Sequence, residues 1–366
     1  MPDAAASLLR RLSVPRLPGS PALTAVEGLL VERLRDLGYE VTATKFTATS
    51  EPLDTAGVLG AGLVWVALPL LLLFVLPVAG WLVVLLAASM LAAVALISLG
   101  MARGRLGPPR HQGIVRNVEG RRGAPRIWLV AHSDSKAQWL SLRGRVVVAL
   151  LVAAGAAAVL VAVVVRAAVG PFPWPAAIAI VLPMLAGGAL LSRSDPRDGS
   201  PGAVDNATGM VAVLAAAEAL ADRVDVGVLV TGGEEFGMRG ARVWVTEAAR
   251  DAAFVNFDGV DSRGAFRVMV HGRGSARASA REIASAVGRG LGRDGVGVRV
   301  GRLPPGVFVD GAVLGDAGMA GVTVSRGDWR TLGVIHTPRD VPARVDAESA
   351  CRAGRAVAEA VRGWLG

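Results

Sequence analysis

The sequence predicts an α/β fold, a helix-covered and mainly parallel mixed sheet, cut into segments by two inserted transmembrane helical hairpins. Three observations predict it. Two long blocks carry almost no charge, the polar remainder alternates strand-like and helix-like stretches, and histidines and carboxylates follow the ends of apolar strands.

The uncharged blocks come first. The chain has 366 residues, 52% of them hydrophobic, which is high for a soluble protein. From Thr55 to Ala102 there is no charged residue, and from Val146 to Ser192 there is only Arg166. A helix crosses the hydrocarbon core with about 20 apolar residues. The first block therefore holds two spans, 57–77 and 80–101, turning near Pro77, Ala79 and Gly80. The second holds 146–165 and 175–192, joined through Gly170-Pro171-Phe172-Pro173-Trp174-Pro175, with Pro183 inside its short last span. Buried core helices compete as an explanation, but they seldom run past about 18 residues without a charge. The expected organisation is one polar domain in three segments, 1–54, 103–145 and 193–366, with hairpins at 55–102 and 146–192.

The formal net charge is +9 and is carried by arginine, since Lys45 and Lys136 are the only lysines. Arg103, Arg105, Arg110, Arg143, Arg145, Arg193 and Arg197 flank the apolar blocks. No basic stripe interleaved with aromatics is present, which argues against nucleic acid as a partner. The positive-inside rule accounts for the flanks and puts the polar segments on the cytoplasmic side of a cell membrane that the chain crosses several times. Arg166 alone argues the other way. Met1 to Gly19 lacks the apolar core of a secretory signal, and the single Cys351 allows no intramolecular disulfide.

In the polar segments, 20–37 suits an amphipathic helix with Leu23, Val26, Leu29, Leu30, Leu34 and Leu37 on one face. Val41–Thr47 alternates like a strand. Gly113–Val118 and Arg126–Val130 are expected to pair through the turn Gly120-Arg121-Arg122-Gly123. Buried strands are expected at Val226–Thr231, Ala253–Phe257, Phe266–Val270 and Gly321–Ser325, with helices at 207–221, 238–250, 275–291 and 347–364. Such alternation favours a parallel sheet covered by helices.

Open α/β sheets place their sites beyond the carboxyl ends of strands. Ile127–Ala131 leads into His132-Ser133-Asp134, Val228–Thr231 into Glu234-Glu235 through two glycines, and Phe254–Phe257 into Asp258. Asp205 opens a helix after Pro201-Gly202, and His336 sits in Gly333-Val334-Ile335-His336-Thr337. Singly these are weak signals: a lone histidine is usually a hydrogen-bonded core residue, a lone Asp before a helix an N-cap, a Glu pair a solvated surface. Together they are the nitrogen and oxygen donors that zinc favours away from thiolates.

Pro201–Met210, with Asp205-Asn206 at its centre, resembles the signature of the di-zinc aminopeptidases of peptidase family M28. Gly233–Arg242 resembles a second signature, and His132-Ser133-Asp134 and His336–Asp340 the first and last. The resemblance implies a zinc-exopeptidase fold, two zinc ions and a peptide substrate. Asp205 would bridge the metals, His132 and Asp258 would complete one site, and Glu235 and His336 the other. Asp134 would hold the ring of His132, Glu234 would be the general base, and Asp205–Asn206 would be a cis peptide. The resemblance thus implies a membrane-anchored aminopeptidase in which a metal-activated water attacks the first peptide bond.

Two departures stand out. Many relatives carry a tyrosine before the last histidine, where this chain has Ile335; its one tyrosine is Tyr39. Zinc, Arg239 or Trp329 must then supply the missing stabilisation. Between His132 and Asp205 the chain also inserts roughly 60 residues, enough for two spans. The hairpin between these residues must leave and re-enter near the mouth of the cleft, so membrane-bound peptides and soluble ones are both expected substrates. Asp310 suits either a pocket residue or a helix cap. His111 and His271 read as surface residues, Trp128 and Trp139 as core and interfacial packing, and Gly288–Gly292 is no phosphate loop. Glutaminyl cyclisation is an alternative, since relatives with that activity share the run present here as His132 to Lys136 and work with one zinc. A non-catalytic scaffold is disfavoured by the intact ligand set, and a transporter by the absence of ionisable residues at the span centres.

Overall fold

The computed structural model describes residues 2–103, 108–245 and 251–366. Their contacts divide into two compact units, one of residues 1–49, 112–137 and 197–366, the other of 50–111 and 138–196.

The first unit is built on an eight-stranded mixed sheet. Its strands are β1 (Glu40–Thr49), β2 (Gln112–Arg121), β3 (Ile127–His132), β4 (Val226–Thr231), β5 (Ala253–Val260), β6 (Ala265–His271), β7 (Val298–Arg302) and β8 (Gly321–Gly327), in the order β1-β2-β4-β3-β5-β8-β6-β7. Strands β4, β3, β5 and β8 run parallel at the centre, and β6 and β7 run parallel at one edge. Strands β3 and β4 are buried along their whole length, as sequences apolar on both faces require.

The helices are α1 (Pro2–Leu12), α2 (Pro21–Asp36), α3 (Glu51–Val75), α4 (Gly80–Ala102), α5 (Leu142–Val169), α6 (Trp174–Leu191), α7 (Thr208–Ala219), α8 (Arg239–Trp244), α9 (Gly274–Leu291), α10 (Asp310–Asp316) and α11 (Ala347–Leu365). One face of the sheet packs Leu129, Val255, Phe257, Val322 and Val324 with residues of α1, α2, α7, α9 and α11. The other packs Trp128, Val130 and Phe254 with Ala241, Trp244 and Leu314 of α8 and α10. Trp128 meets Trp244 edge-on at 5.1 Å, a core residue as its sequence position suggests.

Several expectations change. Residues 113–118 and 126–130 are strands but not partners: β2 pairs antiparallel with β1 and β4, and β4 lies between β2 and β3. A strand apolar on both faces needs covered neighbours on both edges, so β3 sits between β4 and β5, and β2 is displaced outward. The helix expected at 238–250 spans Arg239–Trp244, and 246–250 lie outside the described residues. His271 is not a surface residue. It is buried, with Nε2 2.9 Å from the Thr323 hydroxyl, because Gly311 and Gly315 of α10 pack directly on its ring and backbone. That burial pushes its pKa down to about 4. His111 is exposed.

Glu27 on α2 is a buried carboxylate that accepts the backbone N–H of Arg116 at 2.9 Å. Burial pushes its pKa up from 4.5 to about 7, against the bond to the Arg116 amide and the Arg116 charge. The folded state therefore holds this proton more tightly than the unfolded chain, and the residue's contribution to stability falls as pH rises between 4.5 and about 7. Glu27→Gln is expected to raise the melting temperature at pH 8 and leave it nearly unchanged at pH 4.5. Thermal melts of the two proteins across that range check this.

The second unit holds α3 to α6, each long and apolar enough to cross a membrane. Helices α3 and α5 start before the expected spans because polar residues are drawn into their first turns: Ser141 caps α5 through the Gly144 amide, and Glu51 and Asp54 lie in the first turn of α3. Helices α3 and α6 approach closely at glycines. A Cβ on Gly60 would lie 2.4 Å from the Ser192 nitrogen and 2.7 Å from the Gly188 carbonyl, the kind of contact that small residues allow between apolar helices. On α4 only Val83 and Ala87 are buried, so its remaining apolar surface faces outward. Trp139 is exposed beside the guanidinium of Arg193.

Arg166 has a local explanation. It is buried and donates to three main-chain carbonyls at the end of α3 and the following turn: Phe74 at 3.1 Å, Leu76 at 2.6 Å and Val78 at 3.2 Å. These groups lack helical partners, and the cation satisfies them. The Phe74 and Leu76 carbonyls also accept the Phe172 and Val78 amides, both at 2.8 Å, so Arg166→Leu removes three charged donors but strips only Val78 of its partner. It is expected to cost about 1–3 kcal/mol, read as a lower melting temperature of the detergent-solubilised protein.

Candidate metal centre

The parallel strands bring the site together. His132 ends β3 in register with Thr231, the last residue of β4. Beyond Thr231 the chain turns through Gly232 and Gly233 into Glu234 and Glu235, and Asp258 stands where β5 breaks register against β8. Asp205 lies just before α7, and its bond to Asn206 is the one cis peptide among the described residues.

Ligand atoms of His132, Asp205 and Asp258 lie within 4.8 Å of one another, and so do those of Asp205, Glu235 and His336. Asp205 belongs to both groups and divides its oxygens between them. Its Oδ1 is 3.1 Å from His132 Nε2, and its Oδ2 is 3.2 Å from His336 Nε2. His336 Nε2 is also 3.2 Å from Glu235 Oε2.

The surroundings fix these side chains. Asp340 Oδ1 accepts the Val204 amide at 2.8 Å, and its Oδ2 accepts the Asp205 amide at 3.2 Å. The family resemblance implies that Asp134 holds the His132 ring. In the structure the Asp134 carbonyl is 3.1 Å from His132 Nδ1, while the carboxylate stands off at 3.6 Å. An Nδ1–H donated to this carbonyl leaves Nε2 as a lone pair facing Asp205. The Asp134 carboxylate instead accepts the amides of Glu234 at 3.1 Å and Glu235 at 3.0 Å, anchoring the acidic pair. His336 and Met238 are the two non-glycine residues with positive φ among those described, and backbone strain of this kind gathers at functional sites.

The electrostatics are those of crowded carboxylates. Burial raises the pKa of Glu234 well above the usual range, Asp258, Glu235 and Asp310 add to it, and His132 opposes. Asp258 is raised by burial to about 7. Burial works against ionisation of Glu235 too, but His336 and Lys136 hold it at about 2. Glu235 Oε1 and Asp310 Oδ1 are buried with no hydrogen-bond partner. Unpartnered carboxylate oxygens, excess negative charge and an imidazole–carboxylate donor set are what a buried cation site requires, and the set fits zinc.

Asp310 is the first residue of α10 but caps nothing; its Oδ2 accepts the Thr231 hydroxyl, next to His132. Ile335 is buried and offers no donor. Tyr39 packs under the Arg122 guanidinium, 3.8 Å away, in the core. Arg239 and Trp329 are exposed, and no bond from either to the ligand set occurs among the described residues. Two basic residues were not assigned from sequence. Lys136 Nζ lies 2.5 Å from Glu235 Oε2, and Arg16 lies buried behind the His132 and Asp205 segments. A lysine two residues after Asp134 could have been singled out; nothing around Arg16 marks it.

Residues 189–361 match the family model described as Peptidase family M28. No curated protein matches the sequence. Among solved structures, the chain is similar to an aminopeptidase from Aneurinibacillus sp. strain AM-1, with a TM-score of 0.55 and 13% identity over 99% of this chain and 93% of the other. It is similar to BSAP, a zinc aminopeptidase from Bacillus subtilis, at 0.54 and 15%, covering 99% and 94%. A glutaminyl cyclase from Porphyromonas gingivalis gives 0.55 and 15%, covering 99% and 98%. At these identities the structural likeness speaks for a shared fold. Residues 189–361 are thus similar to peptidase family M28, and the chain as a whole shares the fold of zinc aminopeptidases.

Proposed function

We propose that the chain is a membrane-anchored zinc exopeptidase, an aminopeptidase that removes residues from the N-terminus of peptides. The observation that carries this reading is Asp205, which presents one oxygen to each histidine, as a bridge between two zinc ions requires. His132 and Asp258 would hold one ion with it, and Glu235 and His336 the other. When bound, the two ions would polarise the peptide carbonyl and lower the pKa of a shared water towards about 7.

The chain's own residues then manage protons and position. Glu234 belongs to neither ligand group and is fixed at its amide by Asp134. As general base it accepts the proton of the attacking water and returns it to the leaving amine. The arginines flanking the spans support a cytoplasmic site, and a reporter fused in the Pro77–Gly80 turn should read as non-cytoplasmic.

Membrane-bound peptides are the substrates we favour. The chain leaves the first unit at Ala137, five residues after His132, and returns at Arg197, where the two form a β-bridge. Equal turnover of membrane-bound peptides after replacing 138–196 with a short loop would remove this preference.

One observation supports glutaminyl cyclisation as a second reading. Lys136 Nζ sits on Glu235 Oε2, a fixed cation where a second metal would otherwise balance the charge. Metal content, measured with aminopeptidase and cyclase assays on the purified protein, separates the two. Two zinc ions with hydrolysis support the first reading; one zinc with cyclisation of N-terminal glutamine supports the second.

A further inference from the structure

Arg16, on the segment between α1 and α2, is fully buried, yet among the described residues no carboxylate bonds to it. Its guanidinium donates only to main-chain carbonyls. Nε reaches Ser133 at 2.7 Å, Nη1 reaches Pro201 at 2.7 Å, Val14 at 2.9 Å and Leu12, and Nη2 reaches Gly202 at 3.1 Å. The main chain repeats the tie. The Arg16 amide donates to Ser135 Oγ at 3.1 Å, the Ser135 amide donates to the Arg16 carbonyl at 3.1 Å, and Ser135 Oγ donates to Ser200 at 2.9 Å.

These contacts join two segments that carry metal-ligating candidates. Ser133 follows His132, and Gly202 lies three residues before Asp205. The fit is close: Gly202 has φ +58°, and a Cβ there would lie 2.6 Å from Ser135 Cβ and 2.8 Å from Arg16 Nη2. The planar fork of arginine suits this task, because its donors diverge in fixed directions and reach both segments at once.

The charge has a purpose distinct from the bonds. A buried cation is costly unless opposite charge lies near, and the nearest here are Asp134, Asp340, Asp205 and Glu235. Arg16 offsets that cluster without bonding to any carboxylate oxygen, so it takes none of the oxygens that Asp205 and Glu235 turn towards the histidines. Lys136, by contrast, sits on Glu235 directly.

We propose that Arg16 is a positioning residue of the metal centre, setting the separation of the His132 and Asp205 segments and thereby the affinity of the site they share. The proposal rests on the zinc reading above. Its test uses the full-length protein in detergent, with Arg16→Met and Arg16→Lys compared with wild type. Zinc affinity is read by competition with a chromophoric chelator, the ligand field by the absorption of the cobalt(II) form, and folding by the melting temperature of the metal-free protein.

Arg16→Met is expected to fold, to bind zinc about 10–100-fold more weakly, as loss of a ligand-orienting contact does, and to shift the cobalt band. Arg16→Lys, which keeps the charge and one reach, should recover part of the affinity. Folded Arg16→Met with wild-type affinity and cobalt spectrum would overturn the proposal and leave Arg16 a support of the fold alone. Should Arg16→Met not be recovered folded, Ser135→Ala decides. It removes the Oγ bonds to the Arg16 amide and to Ser200, keeping only the main-chain bond, and should weaken zinc severalfold; unchanged affinity and spectrum would overturn the proposal. Wild type that binds no zinc at all would instead bring down the peptidase reading on which it rests.

Discussion

Glu234→Gln is expected to lower kcat by about 10²–10⁴-fold, the usual contribution of a positioned general base, with metal content unchanged. The amide keeps the size of the side chain, and the main-chain bond from residue 234 to Asp134 is untouched. Glu234 is in neither ligand group, so the metal sites survive. KM should change little, because the base acts on the proton and not on substrate binding. The substitution should also raise the melting temperature of the metal-free protein at neutral pH. Burial, with Asp258, Glu235 and Asp310 nearby, disfavours the charged form of Glu234, and glutamine carries no charge. More stability with less activity is the signature of a residue kept for chemistry. Metal analysis, initial rates and melting of the same preparations check all three expectations, and loss of metal would make Glu234 a ligand and not a base.

Legibility in the sequence followed the locality of the physics. The central strands β3 and β4 were readable because each is a short apolar run ending at a polar residue, His132 and Thr231, at the carboxyl edge of the sheet. The ligand candidates converge as the motif spacing implies, since a parallel sheet brings strand ends together whatever the sequence distance between them. Pairing was harder. The turn at Gly120–Gly123 suggested a hairpin, yet β4 lies between β2 and β3, and only the demand of β3 for two covered edges decides that. Three elements escaped the sequence reading. In β7, four of the five residues are exposed and the apolar alternation is correspondingly weak, α10 is seven residues long, and α1 falls in the stretch read only as lacking the apolar core of a secretory signal.

The charged residues show the same limit. Arg166 was weighed as a topology signal, but its bonds go to carbonyls some 90 residues earlier in the chain. Arg16 and His271 owe their burial to partners distant in sequence. In each case the sequence shows a polar side chain, and only the tertiary structure shows what satisfies it. Asp134 is a milder case. Its place beside His132 was legible, but which of its groups meets the ring was not: carbonyl and carboxylate lie 3.1 Å and 3.6 Å from Nδ1.

Asp205→Asn is expected to have a larger effect than any other single substitution at the site. A carboxylate offers two equivalent oxygens, and here one faces each histidine at 3.1–3.2 Å. An amide offers one oxygen and one NH₂ group, which is a donor and no metal ligand. Whichever way it turns, one of the two sites loses its shared ligand and meets N–H donors in its place. The turn itself should persist, because Val204 and residue 205 bond to Asp340 through their amides, which the substitution leaves alone. Metal content should therefore fall to one ion or fewer in a folded protein, and activity should drop beyond the roughly 10⁴-fold limit expected for loss of a general base. Asp258→Asn gives the contrast, since Asp258 belongs to one group only; it should spare the Glu235–His336 site and retain that ion. Metal analysis of the two variants after dialysis separates a bridging carboxylate from two independent sites. Two retained ions in Asp205→Asn would show that the divided oxygens of Asp205 are not what holds the pair together.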